Sequence, residues 1–317
     1  MKRGAELRGG EHVRAIRHEE HEVVVTTGSG EHHARFVVDA SGLAGVEALG
    51  KMHGSARDVC AAAQEVRAIR DPSAASEFFA RHGADESDVI VFTGIAGGYS
   101  IVNVRRQDDR VFVLTGSIPA DGHPSGKALL DRFAAEQSWI GERVFGGARA
   151  IPLSYARPIL VRGRIAALGD AASQVFSAHG SGTGAGLVAA RMLADAVLAG
   201  DLLAYQHAWQ RRWGLLFASH DLFRRLSQSL ASDELETMIG EGILGAPAVE
   251  AALAQRFPPL DGSMLRASRA LLRRPALARK MAALAARIAR LAAVYAGVPR
   301  DADRQLAWAA RVHAAMA

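Results

Sequence analysis

Cysteine is almost absent from this chain. Cys60 is its one thiol, so no internal disulfide can staple the fold, and the count fits a reducing cytoplasm. Long apolar runs are missing too, none approaching the ~18 residues of a membrane span. The opening stretch, MKRGAELRGGEHVR, holds no apolar core that could serve as a signal peptide. Lysine is scarce, at four of 38 cations, a bias that reads as genome composition rather than selected arginine chemistry. No zinc spacing, basic-aromatic interleaving or helix-turn-helix pattern accompanies the net charge of +5, so no nucleic-acid partner is expected. The cationic excess lies in residues 206–317, which carry 16 Lys and Arg against 9 Asp and Glu. With 49% apolar and 22% charged residues, the 317 residues are those of an ordinary globular protein with room for a real core.

Three blocks and a tail succeed one another. HVRAIRHE, HEVVVTTG and EHHARFVVDASG read as short strands separated by polar turns, with Gly28-Ser29-Gly30 as a hairpin turn. The last run ends in FVV and a loop of small residues, Asp39 to Gly42. VCAAAQEVRAI predicts a strand, SAASEFFARHG a short helix, and DVIVFTG, GYSIVNVRR and RVFVLTGSIP an antiparallel meander. A helix over 125–139 and a strand in RVFGGARAIPL close that block. The third block, RGRIAALGDAASQVFSAHGSGTGAGLVAARMLADAVLAG, runs from a buried strand at 164–168 through a glycine-rich loop into a long helix. Beyond residue 205 the pattern is helical, broken at Gly245-Ala246-Pro247, Pro258-Pro259, Pro275 and Pro299.

The third block carries the chemistry. A strand that ends in Gly169-Asp170-Ala171-Ala172 puts a carboxylate at the edge of a sheet where ligands of open α/β folds lie, ready to accept from a sugar-like hydroxyl. Gly180, Gly182, Gly184 and Gly186 let backbone pass close to a flat ligand. The helix that starts there offers unpaired N–H groups and a partial positive charge, suited to an anionic edge such as that of a reduced flavin. A GxGxxG nucleotide fingerprint needs its glycines directly after a strand, whereas Gly180 lies twelve residues beyond Leu168. A Walker loop would need a Gly-Lys-Ser/Thr ending, which is absent. Ser177, His179 and Ser181 lack a GxSxG elbow and an assignable acidic partner, which argues against a hydrolase.

GDAASQVFSAHGSGTGAG resembles the second FAD motif of the flavoprotein monooxygenase and geranylgeranyl reductase superfamily, and VVDASG resembles its middle motif. The resemblance covers roughly residues 11–200. It implies an α/β fold: a discontinuous Rossmann-like FAD-binding domain, an inserted mixed-sheet substrate domain and a helical C-terminal segment. The boundaries fall at 1–57, 58–150, 151–204 and 205–317, the first and third parts forming the FAD domain. Carried over residue by residue, Gly169, Asp170 and Ala171 would meet the flavin, with Asp170 on the ribityl chain. Gly180 and Gly182 would lie under the pyrimidine edge, and Asp39 and Gly42 near the pyrophosphate. The resemblance implies an oxidoreductase that works on an organic, hydrophobic substrate of isoprenoid-like or aromatic kind, with FAD reduced by NAD(P)H or another donor. An isoprenoid cyclase and a flavin-less or partner-binding relative stay open as alternatives. Tyr99, Phe176 and His179 are the candidate substrate contacts, and no catalytic acid or base is nominated.

Two departures stand out. The family's usual proline is Ser177, and its opening GxGxxG unit has no counterpart, since the chain starts at the family's β-meander. The expectation is therefore an N-terminally incomplete chain, one completed by a separate polypeptide, or a decayed relative. The strand at 164–168 should then present an unpaired apolar edge. No metal site is expected at His18, His21, His32 and His33, because strand neighbours point to opposite faces. Cys60 reads as a small buried residue. Leu277, Met281, Leu284, Ile288, Leu291 and Tyr295 form one helical stripe flanked by Lys280, Arg287 and Arg290. That stripe suits packing on its own domain, or peripheral contact with an anionic membrane.

Overall fold

The computed structural model describes residues 4–51, 54–259 and 262–317. Three antiparallel strands open it: β1 (Ala15–His18), β2 (Val23–Thr26) and β3 (Glu31–Ala34). The turn expected at Gly28-Ser29-Gly30 is there, closed by the Thr27 N–H on the Gly30 carbonyl at 2.8 Å. The run EHHARFVVDASG does not stay in one sheet. It breaks at Arg35-Phe36, and β4 (Val37–Asp39) joins a second sheet with β10 (Val161–Arg162) and β11 (Ile165–Ala167) in the order β10-β11-β4.

That small sheet corrects the expected edge. Gly163, at φ +57°, turns the chain so that β10 pairs antiparallel with β11, while β4 pairs with β11 in parallel on the other side. Residues 165–167 are thus flanked on both sides and buried. The open edge falls instead on β4, whose outer side pairs with no strand among the described residues and whose Val38 is 43% exposed.

A larger sheet takes up β5 (Val59–Ile69), β6 (Val89–Thr93), β7 (Ser100–Gln107), β8 (Arg110–Ser117) and β9 (Ile140–Pro152), in the order β6-β7-β8-β5-β9. Its four pairings are all antiparallel. Among the described residues, parallel pairing is confined to β4 and β11. Two helices, α1 (Pro72–Arg81) and α2 (Gly126–Glu136), start at Asp71 and Ser125, whose side chains accept from first-turn N–H groups. They cover one face, where alternate strand residues Val102, Val104, Val111 and Val113 meet Phe78, Phe79, Leu130 and Phe133. Cys60 is buried on β5, and burial pushes its thiol up to about 11, which makes it inert near neutrality.

The rest is helical. α3 (Thr183–Ala199) and α4 (Leu202–Trp209) pack on the β10-β11-β4 sheet. A π-helical turn, Gln210–Gly214, then joins α4 to α5 (Leu215–Gln228) without a break. The chain continues through α6 (Ser232–Gly240), α7 (Ala246–Leu253), α8 (Gly262–Leu272), α9 (Pro275–Ala296) and α10 (Ala302–Met316). The apolar stripe of α9 faces inward: Leu284, Leu291 and Tyr295 join α5 and α10 in one core, with Met281 and Ile288 packed against it. Of its basic flank, Lys280 pairs with Glu234 at 2.6 Å and Arg287 donates to the Met316 carbonyl. Arg224, fully buried on α5, ties this segment to the large sheet by donating to Asp221 and to Asp58, the latter at 2.6 Å. Among the described residues no helix is long and apolar enough to cross a membrane.

Candidate functional site

β4 and β11 end side by side. Asp39 lies in register with Ala167, and the Leu168 N–H donates to the Asp39 carbonyl at 2.9 Å. Both chains leave the sheet at this edge. After β11, Gly169–Ala172 forms a tight 3-10 turn between two left-handed residues, Gly169 at φ +66° and Ser173 at φ +51°. Gln174 holds the turn from inside: its side-chain carbonyl accepts from the Gly169 N–H at 2.8 Å, and its amide donates to the Tyr205 hydroxyl at 2.7 Å. Tyr205 donates in turn to the Ala167 carbonyl, so α4 braces the strand end.

The loop then folds on itself. Phe176 bridges to Ser181, and the Gly180 N–H donates to the Phe176 carbonyl at 2.9 Å, with Gly180 at φ +71°. Gly182 caps α3 without any side-chain acceptor, so the first-turn N–H groups stay uncapped by side chains. A Cβ on Gly182 would lie 3.1 Å from Val175 Cγ2 and 3.3 Å from Asp170 Oδ1. The Asp170 carboxylate therefore stands at the mouth of α3. It has no hydrogen-bond partner among the described residues, and burial holds its pKa above the usual carboxylate range. Gly184 and Gly186 on the first turns of α3 leave open space where a Cβ would be.

Asp39 is placed alike but engaged otherwise. Its buried carboxylate accepts from the Ser41 N–H and hydroxyl and, at 3.0 Å, from the Ala48 N–H. Gly42, at φ +87°, has open space where a side chain would begin. Arg157 links the two loops: its N–H donates to the Ala172 carbonyl, and its guanidinium to the carbonyls of Leu49 and Gly50. Nothing in the local sequence around Gln174, Tyr205 or Arg157 marks them for these roles, since each partner lies far along the chain or inside a turn.

The substrate candidates separate. Tyr99 is buried, its hydroxyl donating to the Ser177 carbonyl at 3.2 Å, so it supports the loop from below. Ser177 itself keeps a buried hydroxyl without a partner among the described residues. Phe176 is fully buried and packs against His179 and His220 in tilted contacts, with ring centroids 5.1 and 4.3 Å away. His179 Nε2 donates to the Ala252 carbonyl on α7, and His220 Nδ1 to the Leu216 carbonyl. Burial holds both imidazoles below the ordinary histidine value, so both are neutral at pH 7. In the first sheet, His33 pairs with Glu22 while His32 turns to Thr27 and Glu11.

A strand-end carboxylate, a folded glycine loop and an uncapped helix mouth thus meet on a parallel strand pair within a Rossmann-like α/β fold. Among solved structures, a geranylgeranyl bacteriochlorophyll reductase-like protein from Thermoplasma acidophilum matches with a TM-score of 0.60 at 15% identity, over 86% of this chain and 69% of that one. The Diels-Alderase PyrE3 of pyrroindomycin biosynthesis matches at TM-score 0.49 and 17% identity, over 79% of this chain and 57% of that one. A flavoprotein/dehydrogenase from Cytophaga hutchinsonii matches at 0.48 and 16%, over 75% and 60%. The chain thus spans less than two thirds of the latter two. At these identities the likeness is one of fold. No protein-family model and no curated protein matches the chain.

Proposed function

We propose that this chain is an FAD-dependent oxidoreductase, of reductase or monooxygenase type, acting on an organic and largely apolar substrate. One observation carries the reading: a half-buried carboxylate, Asp170, without a partner among the described residues, beside Gly182 at the uncapped mouth of α3. A carboxylate so placed accepts from a polyol hydroxyl such as those of a ribityl chain, and gaining that donor offsets its desolvation. The N–H groups of the first turn of α3 suit the electron-rich pyrimidine edge. Gly180 and Gly182 keep the backbone there free of side chains, and Gly169 and Ala171 set the turn that aims Asp170. Asp39, its oxygens committed to residues 41–48, would shape the pyrophosphate end together with Gly42 rather than bind it directly.

When bound, FAD would supply hydride transfer at N5, with NAD(P)H as the proposed electron source. The chain's own residues would hold and orient the ring system, on a loop whose Phe176 is fully buried. The unpaired edge of β4 supports a further strand joining the sheet there, from additional chain or a separate polypeptide.

The test is a flavin titration of the purified chain, read by absorbance and by quenching of flavin emission. The parent should bind FAD, and Asp170→Ala should bind about tenfold more weakly or worse while melting no lower than the parent. A parent that takes up no flavin, or equal affinity in the variant, overturns the proposal.

A further inference from the structure

We infer that a second ligand site lies among the C-terminal helices: an apolar cavity of about 390 Å³ lined by α5 to α9 and open to solvent on one side. That size falls in the range of small-molecule sites, roughly 300–1,000 Å³. Its walls are almost wholly apolar, with Phe223, Met238, Leu271, Met281 and Ile288 contributed by four different helices. An apolar void of this size forfeits the contacts that packing would give, so it favours an occupant that supplies them. Phe257 lines it while 48% exposed, so the cavity communicates with solvent on that side.

The polar feature that matters is His220, which reaches from the cavity to the glycine loop. His220 lines the cavity and is only 8% exposed. Its Nδ1–H is spent on the Leu216 carbonyl at 2.9 Å, which leaves Nε2 of the neutral ring as an acceptor. The same ring packs against Phe176 of the glycine loop, and Ala252, another lining residue, accepts from His179 of that loop. The cavity therefore ends against the back of the loop that carries Asp170. The occupant this chemistry fits is an apolar molecule with one hydroxyl donor, and no charge. That such a molecule is the substrate rests on the flavin reading, whereas its binding does not.

The test uses the full chain without flavin, with Nile red as reporter and dodecan-1-ol as competitor. Its methyl ether, which lacks the donor, serves as the matched control. Nile red should bind with blue-shifted emission and be displaced by the alcohol. Filling the cavity by Ala248→Trp, or from another helix by Ala285→Trp, should weaken the dye about tenfold or more in protein that still melts cooperatively. His220→Leu should weaken the alcohol about fivefold and leave the ether unchanged. Undiminished dye binding in both tryptophan variants, or alcohol and ether weakened alike by His220→Leu, overturns the inference. Because no flavin is present, either failure is distinct from failure of the FAD titration.

Discussion

Asp39 and Asp170 invite comparison, because each stands at the end of one of two adjacent parallel strands and opens a loop of small residues. In sequence they look alike, VVDASG and ALGDAAS. In the fold one carboxylate is saturated by its own loop and the other accepts nothing from the described residues. The difference comes from the path each loop takes on leaving the sheet. After β4 the chain curls back at once, so that Ser41 and Ala48 bring their donors to Asp39. After β11 the turn is braced by Gln174 from behind, which frees Asp170 to face outward over α3. Equivalent positions therefore separate into an organiser of structure and a candidate for ligand.

The largest expected effect tests that division directly. Asp39→Ala should cost about 3 kcal/mol in urea unfolding, since it strands several donors around a buried site. Asp170→Ala should stay within about 0.5 kcal/mol of the parent. Similar costs for the two would break the comparison. A smaller effect comes from Gly182→Ala, whose new methyl presses on Val175 and on the Asp170 carboxylate. We expect a loss of about 1 kcal/mol in stability together with weaker FAD binding; unchanged affinity would show that the carboxylate can move without consequence.

The smallest effect is a pH dependence, and its sign comes from burial. Asp170 has a raised folded pKa, so its contribution to stability is complete below the ordinary carboxylate value and is lost as pH rises through the raised one. Relative to the parent, Asp170→Asn should therefore gain in melting temperature from about pH 4 upward. A difference that stays flat across that window would mean the carboxylate is not desolvated at all.

Much of this layout is legible in the sequence. The alternation in VCAAAQEVRAI and the meander point to the large sheet, and glycines after a GDAA strand end locate the loop and helix mouth. The rest depends on contacts that no local pattern encodes. The break at Arg35-Phe36 arises because Val37 takes its N–H to the Arg164 carbonyl, far along the chain. An open edge is expected at 164–168, and the structure closes it, because the two residues of β10 are too few to read as a strand. The brace through Gln174 and Tyr205 joins residues 31 apart. Small residues alone do not reveal that Asp39 is satisfied by its own loop.

The π-helical turn at Gln210–Gly214 has a consequence for register. Such a turn holds one residue more than the ladder around it needs, so it works as a phase shifter between α4 and α5. A methyl on Gly214 would come within 2.3 Å of the Tyr295 ring, which leaves the wide turn pinned against α9. Excising one residue there would restore ordinary winding and leave the downstream helix close to its present facing, because the wide turn takes up the extra residue within itself. Excising a residue of α5 before His220 instead would turn everything beyond it by about 100°, and His220 would swing off Phe176.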